Sequence, residues 1–206
     1  MNGRTTLEIG DGVRYEGRLS HGKRKGQGTL YVDEGYGRTS ALRVRWDDDV
    51  PQGAGSFLEP DGGRVVGTWR NGELVGLAHE EHPDGTLRFL GHFVGGQRNG
   101  DGIEVRLDGG CLVGTWADGA MHGPRCAYLY PCRYDGMALV GEWRHGHLHR
   151  AHPARMRPEA ISEALGRSVG GSLGGGVAGR IGGGRPRFTA RGDAGCGAAA
   201  AAATDG

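Results

Sequence analysis

LVGTWADGAMHG, residues 112–123, restates VVGTWRNGELVG at 65–76 and returns as LVGEWRHGHLHR at 139–150. The element that recurs is a short apolar run, a Gly, an aromatic and then a Gly-containing turn. Aligned on the aromatic, the chain gives six anchors: Leu19, Trp46, Trp69, Phe93, Trp116 and Trp143. Gly17, Val44, Gly67, Gly91, Gly114 and Gly141 stand two positions before them, and Gly22, Asp49, Gly72, Gly96, Gly119 and Gly146 three positions after. A further series, Gly26, Gly53, Gly76, Gly100 and Gly123, falls seven after the anchor and is broken by Arg150 in the last unit. Self-similarity at a fixed period of about 20 to 50 residues is the signature of a stacked array.

Each position has a physical reading. Asn71-Gly72 and Asp118-Gly119 are two-residue turns of the kind that closes a hairpin, because both central residues need positive φ. The flanks VVGTW and LVGEW are β-branched or aromatic and of strand length. Asp61-Gly62, Asp84-Gly85, Asp108-Gly109 and Asp135-Gly136 supply the second turn, which joins one hairpin to the next. The Gly two residues before the anchor shares its strand face, and its missing side chain lets a neighbouring ring lie across the backbone. Glycine in a strand costs roughly 0.5–1 kcal/mol relative to alanine, so only a geometry that demands them keeps three or four per unit.

Composition agrees. The 206 residues include 44 glycines without a Gly-X-Y period, and hydrophobic and aromatic contents of 36% and 7% are modest for a thick two-layer core. The net charge of +1 argues against nucleic acid as partner. With no apolar run long enough for a signal peptide or a membrane span, the expectation is an intracellular protein of cytoplasm or nucleus, neither secreted nor transmembrane. Cys111, Cys126, Cys132 and Cys196 have irregular spacing and no C-x-x-C pair, which predicts free thiols rather than a disulfide framework.

The expected fold is all-β: a single twisted antiparallel sheet of about six hairpins over residues 13–152, after a lead-in at 1–12. RPEAISEALG has Pro158 at its start, Ile161, Ala164 and Leu165 on one face and Gly166 at its end. It predicts a capping helix within 153–168, since the ends of a repeat array need cover. Residues 169–206, rich in Gly and Ala, read as low-complexity sequence without a packed core.

YEGRLSHGKRKGQG at 15–28 follows the pattern Y-x-G-x-W-x-x-G-x-x-x-G-x-G, with Leu19 in the aromatic place, and resembles the MORN repeat over about residues 13–152. From residue 64 the likeness narrows. GHFVGGQRNGDG, LVGTWADGAMHGPRCAYLYP with its AYLYP segment at 127–131, and ALVGEWRHG are similar to the N-terminal half of SET-domain lysine methyltransferases that carry MORN repeats. The resemblance implies an antiparallel MORN sheet ahead of a SET domain that transfers methyl from S-adenosylmethionine to protein lysines. That SET active site uses an Asn-His-Ser/Cys segment, whereas Asn2, Asn71 and Asn99 here are each followed by Gly. The expectation is therefore a non-catalytic scaffold that binds other proteins, with no catalytic, cofactor or metal residues. A methyltransferase represented here only by its repeat half is the enzymatic alternative, and S-adenosylmethionine belongs to that alternative alone.

Candidate contacts follow from the array. Trp46, Trp69, Phe93, Trp116 and Trp143 recur on one sheet face, either as stacked core or as a groove for a partner peptide. Lys23, Arg24 and Lys25 offer a small basic turn to anionic phospholipid, against the plainer reading of a solvated loop. His145, His147, His149 and His152 are close in sequence, but the turn at 145–146 separates them and no Cys or carboxylate stands at ligand spacing, so solvated histidines are the better account. Gly174, Gly176 and Gly179 spell G-x-G-x-x-G without the strand and helix a dinucleotide site requires. Arg191-Gly192-Asp193 is likewise taken as coincidence.

Overall fold

A computed structural model describes residues 5–131 and 134–157. Fourteen strands and no α-helix occur among the described residues, and strand neighbours follow chain order, as consecutive hairpins require. The chain divides into two units, one of residues up to 85 with 93–96, the other of 86–92 with the residues from 97 onward. In the first lie β1 (Thr5–Gly10), β2 (Val13–Ser20), β3 (Lys23–Gly35), β4 (Arg38–Asp47), β5 (Val50–Leu58), β6 (Arg64–Arg70) and β7 (Glu73–Glu81). β8 (Leu87–Val94) belongs to both. The second holds β9 (Gln97–Val105), β10 (Cys111–Ala117), the short β11 (Ala120–Met121), β12 (Gly123–Leu129), β13 (Met137–Arg144) and β14 (His147–Arg155).

The six expected hairpins are present, and their turns carry the expected geometry. Residues of the tight turns have positive φ in pairs, for example Asn71 at 52° with Gly72 at 89°, and Asp118 at 50° with Gly119 at 80°. That is the hairpin turn whose twist matches the strands. In the second hairpin Asp49 takes the glycine's place at φ 73°, which Asp tolerates better than most residues. At the other ends of the hairpins the Asp-Gly turns form as the composition implies. Gly63 and Gly110 donate their N–H to the Asp61 and Asp108 carboxylates at 2.8 and 2.9 Å, local bonds that hold the chain in the turn.

Register explains the series of glycines seven after the anchor, which the sequence marks without interpreting. Gly17 pairs with Gly28 but Arg18 with Lys25, so the partner strand carries extra residues around Gly26. The same shift surrounds Gly53 and Gly76. These are β-bulges, and Gly76 at φ 73° has the left-handed backbone that such a bulge asks of glycine. Arg150 breaks the series because the last hairpin bulges elsewhere: Glu142 pairs with Arg150 and Trp143 with Leu148.

The anchors are buried. Trp46, Trp69, Phe93, Trp116 and Trp143 have between 2 and 6% of their surface exposed. Tyr15, fully buried, meets Trp46 edge to face at 5.7 Å, and Phe89 meets Trp116 at 5.1 Å. Each contact joins the residue four before one anchor to the next anchor along the chain. Tyr15 lies so close over Gly17 and Gly28 that a Cβ on either would overlap the ring. Phe89 does the same over Gly91 and Gly102, with its Cζ at 2.7 and 2.6 Å from the added carbon. At Gly67 and Gly114 the space is taken instead by Leu74 and Ala78, and by Cys126. The ring-over-glycine expectation thus holds for two repeats, while aliphatic or thiol groups fill the place in others.

Some expectations need correcting or extending. Cys126 is a free, buried thiol, but Cys111 is disulfide-bonded, against the prediction that the cysteines stay reduced. β structure runs past 13–152 at both ends: β1 pairs with β2 from Thr5, and β14 continues to Arg155. Residues 153–155 of the predicted capping-helix segment are therefore strand. The remainder of that segment beyond Arg157, the glycine-rich region and the motifs at 174–179 and 191–193 lie outside the described residues.

Replacing Trp116 by Ala should destabilise the protein by about 3–5 kcal/mol, the usual cost of emptying a buried aromatic site. A double-mutant cycle with Phe89→Ala should return about 0.5–1.5 kcal/mol of coupling for the edge-to-face contact. Urea denaturation of the four proteins measures both, and zero coupling would mean the ring contact adds nothing beyond area.

Candidate interaction surface

The tight turns do more than reverse the chain. Asp49 donates its N–H to the Arg24 carbonyl (3.1 Å), Gly72 to Pro51 (3.1 Å) and Gly96 to Leu74 (3.0 Å). In the second unit Gly119 donates to Arg98 (3.0 Å) and Gly146 to Met121 (2.8 Å). In every case the acceptor stands two residues after the second turn residue of the preceding hairpin. Gly22, Gly72, Gly96, Gly119 and Gly146 thus occupy one structural position, and four of them bond the hairpin before.

At that acceptor position, Arg24 and Arg98 also cover the aromatic core. The Arg24 guanidinium lies 4.2 Å from the Trp46 ring centroid and 5.9 Å from that of Tyr15, while Arg98 lies 4.2 Å from Phe89. Such stacking hides an aromatic face from water while keeping the cation solvated at its rim. The equivalent places in other repeats hold apolar residues, Pro51, Leu74, Met121 and Leu148, of which Leu74 and Met121 are buried and Leu148 is exposed. Burial and these lids leave little free ring surface on the row of anchors.

The basic turn is neutralised from within the fold. Arg24 Nε donates to Asp49 Oδ1 at 2.8 Å and Lys25 Nζ lies 2.6 Å from Asp47 and 3.0 Å from Asp48. Hydrogen bonds from the Arg24 backbone and side chain hold the Asp49 carboxyl below its ordinary range, and Lys25 does the same for Asp47. The Lys25 ammonium is in turn raised by bonds to Asp47 and Asp48. Three carboxylates facing Lys23, Arg24 and Lys25 weaken any attraction to an anionic surface. The Asp47-Asp48-Asp49 run was visible in the sequence, but its place opposite the basic turn required the register of β3 with β4.

Among the described residues no three His, Cys, Asp or Glu side chains converge as a metal site. His145 instead packs edge-on against His122 at 5.1 Å, and His147, His149 and His152 lie exposed on β14. No described helix is long and apolar enough to cross a membrane.

The side of the first unit opposite the anchors is the surface that sequence reasoning passed over. Register places Glu8, Arg14, Tyr31, Ala41, Leu58, Arg64 and Glu81 in one row across seven strands. A second row runs Thr6, Glu16, Thr29, Arg43, Ser56, Val66 and His79. All fourteen are exposed or half-buried. Arg14 lies 2.6 Å from Glu16 on its own strand and 4.5 Å over the Tyr31 ring of the next, and His79 lies 3.3 Å from Glu81 along β7, so these side chains pair within and between strands while still facing water. The signal was present three and five residues before each anchor, where Arg14 and Glu16, Ala41 and Arg43, and Arg64 and Val66 stand.

Six stacked hairpins with bulge glycines, buried anchors and a turn-to-turn ladder define a MORN-type repeat module, and the MORN repeat model matches residues 15–37. The family described as histone H3 K4-specific methyltransferase SET7 N-terminal matches residues 46–107 and again 93–163, together more than half of the chain. The chain belongs to this SET7 N-terminal family. No curated protein matches it.

The Asp49 pair gives the array an acid-sensitive contact. A carboxyl whose folded pKa lies below its unfolded value, near 3.9, stabilises the fold above that value and loses the effect as pH falls through the folded pKa. Asp49→Asn should therefore lower Tm at pH 6, with the gap to wild type closing progressively below pH 4. Thermal melts from pH 6 to 3 check it, and a gap that widens on acidification would reverse the assignment.

Proposed function

We propose that this protein is a non-catalytic MORN-repeat scaffold that binds other proteins through the water-facing side of its first unit. The observation that carries the reading is the pair of uninterrupted rows across β1–β7, where arginines, carboxylates, a tyrosine and small apolar groups alternate. Seven strands spaced by about 4.8 Å make a surface roughly 29 Å across, long enough to hold an extended segment of a partner. Extended repeat surfaces are used in this way, each unit adding a short stretch of contact. The anchor side is less suited, since its aromatics are buried and Arg24 and Arg98 lie over Trp46 and Phe89. Phospholipid tethering through Lys23, Arg24 and Lys25 is disfavoured by the pairing of Arg24 with Asp49 and of Lys25 with Asp47 and Asp48.

Family membership favours one further reading, that the array serves a SET-type protein-lysine methyltransferase as its repeat half. In that setting the same surface would present the enzyme to its protein partners, and S-adenosylmethionine would bind elsewhere in the longer protein.

Arg43→Glu with Arg64→Glu, both exposed, should leave the unfolding free energy within about 0.5 kcal/mol of wild type, as surface changes usually do. Affinity capture with the full 206-residue chain should then lose its specific partners at least tenfold in the variant. Partners retained equally by both proteins would remove this surface from consideration. Calorimetric titration with S-adenosylmethionine distinguishes the enzymatic alternative: heat of binding by this chain would contradict the non-catalytic reading.

A further inference from the structure

β14 closes the order of strands, and β13 is its one neighbour among the described residues. All of its residues except Ala154 are exposed. An edge strand presents a row of N–H and C=O groups that can serve as a template for another strand. Register tells which groups those are. Met156 donates its N–H to the Gly136 carbonyl at 2.8 Å, on the side of β13. The backbone groups of a strand point alternately to one side and the other. Arg150, His152 and Ala154 therefore turn theirs toward their partners Glu142, Val140 and Ala138. Ala151, Pro153 and Arg155 turn theirs to the open side. Pro153 thus falls where its missing N–H takes nothing from the ladder with β13. The outward set is the N–H of Ala151 and Arg155, with the carbonyls of Ala151, Pro153 and Arg155.

The side chains decide what kind of strand fits. Between Met137 and Arg155 stand Arg144, Arg150, Arg155 and the histidines at 145, 147, 149 and 152, against one acid, Glu142. Arg144 Nε donates to Glu142 Oε1 at 2.7 Å; that bond above all, with His149 and Arg150 nearby, holds the Glu142 carboxyl below its ordinary range. Arg150 and His152 are exposed on the face opposite Trp143. A hollow of about 300 Å³ lies beside them, lined by Pro124, Gly141, Glu142, Arg150, Ala151 and His152. The other face carries the small apolar Ala151 and Pro153, then Arg155, which bonds Asp135 at 2.6 Å. A strand laid along this edge would meet cations at one set of alternate positions and mainly small apolar groups at the other. The edge also turns other strands away. Its charges, Pro153 and the bulge at Glu142–Trp143 are devices against indiscriminate pairing, and a second copy of β14 would set like charges against each other.

We infer that β14 is a strand-addition site for an acidic, extended segment of a partner protein, with carboxylates at every second position facing Arg150 and His152 and small or apolar residues between them. Main-chain bonds to Ala151, Pro153 and Arg155 hold such a segment, and the alternating side chains select it. The contact does not depend on the polar rows of the first unit.

Amide hydrogen exchange on the full 206-residue chain tests the site. The probe is a short peptide of alternating glutamate and threonine, and the control is the same peptide with lysine in place of glutamate. The acidic peptide should slow exchange of the Ala151 and Arg155 amides at least tenfold, and the lysine peptide should leave them unchanged. Ala151→Pro, which removes one outward N–H and spares the ladder with β13, should weaken binding at least tenfold at unchanged Tm. Arg150→Glu should shift the preference toward the lysine peptide. No protection by the acidic peptide, or equal protection by both peptides, would overturn the proposal. Equally tight binding of oligothymidylate would overturn it too, since that polymer supplies the charge without the strand. Slow exchange of the two amides in the free chain is the remaining contrary outcome. If it fades on dilution, a second copy occupies the edge; if it persists, other residues of the same chain do.

Discussion

One hydrogen bond organises this protein: the turn amide that reaches back to the preceding hairpin. A lone two-stranded hairpin is marginal in water because it buries too little and leaves both edges open. Here the amide of the second turn residue finds its acceptor on the hairpin before it, at Arg24, Pro51, Leu74, Arg98 and Met121. The bond requires the second turn residue to adopt positive φ with its N–H outward, and that requirement places Gly, or Asp49 once, at the same step of each repeat after the first. Strand pairing, ring stacking and the bulges all inherit their register from it.

The aromatic contacts depend on that register. Tyr15 reaches Trp46, and Phe89 reaches Trp116, only because the strands between them are held in step. Both rings then need glycine beneath them, since the pleat would otherwise put a Cβ where the ring lies. The core is therefore one side chain thick and assembled across repeats, which is why a chain with modest hydrophobic content can sustain it. Arg24 and Arg98 close it from outside, a use of arginine in which the stem packs and the charge stays wet.

The two sides of the sheet carry different information. On the anchor side every repeat does the same job, and variation is limited to which group fills the glycine's hollow. The other side is free of that constraint, and there the repeats diverge, polar in the first unit and apolar in the second. Function is most readily sought where the fold leaves choice, so the divergent side is where partner binding is proposed.

Much of this was legible in the sequence. The period of the anchors, the paired turn residues and the Asp-Gly connections specify antiparallel hairpins because each imposes a local backbone condition that few residues meet. Period-two alternation even marked the polar and apolar positions of the divergent side. Pairings over distance were not legible: that Asp47, Asp48 and Asp49 face Lys23, Arg24 and Lys25, that the glycines at 26, 53 and 76 are bulges, and that Cys111 is oxidised. Those depend on which strand lies beside which and in what register, a choice made by hydrogen bonds between strands and not by any one residue's local preference. The sequence by itself determined the hairpin and its repetition; tertiary structure decided which charges cancel, which aromatics are covered and which side stays open, because only packing brings residues of successive repeats within contact distance.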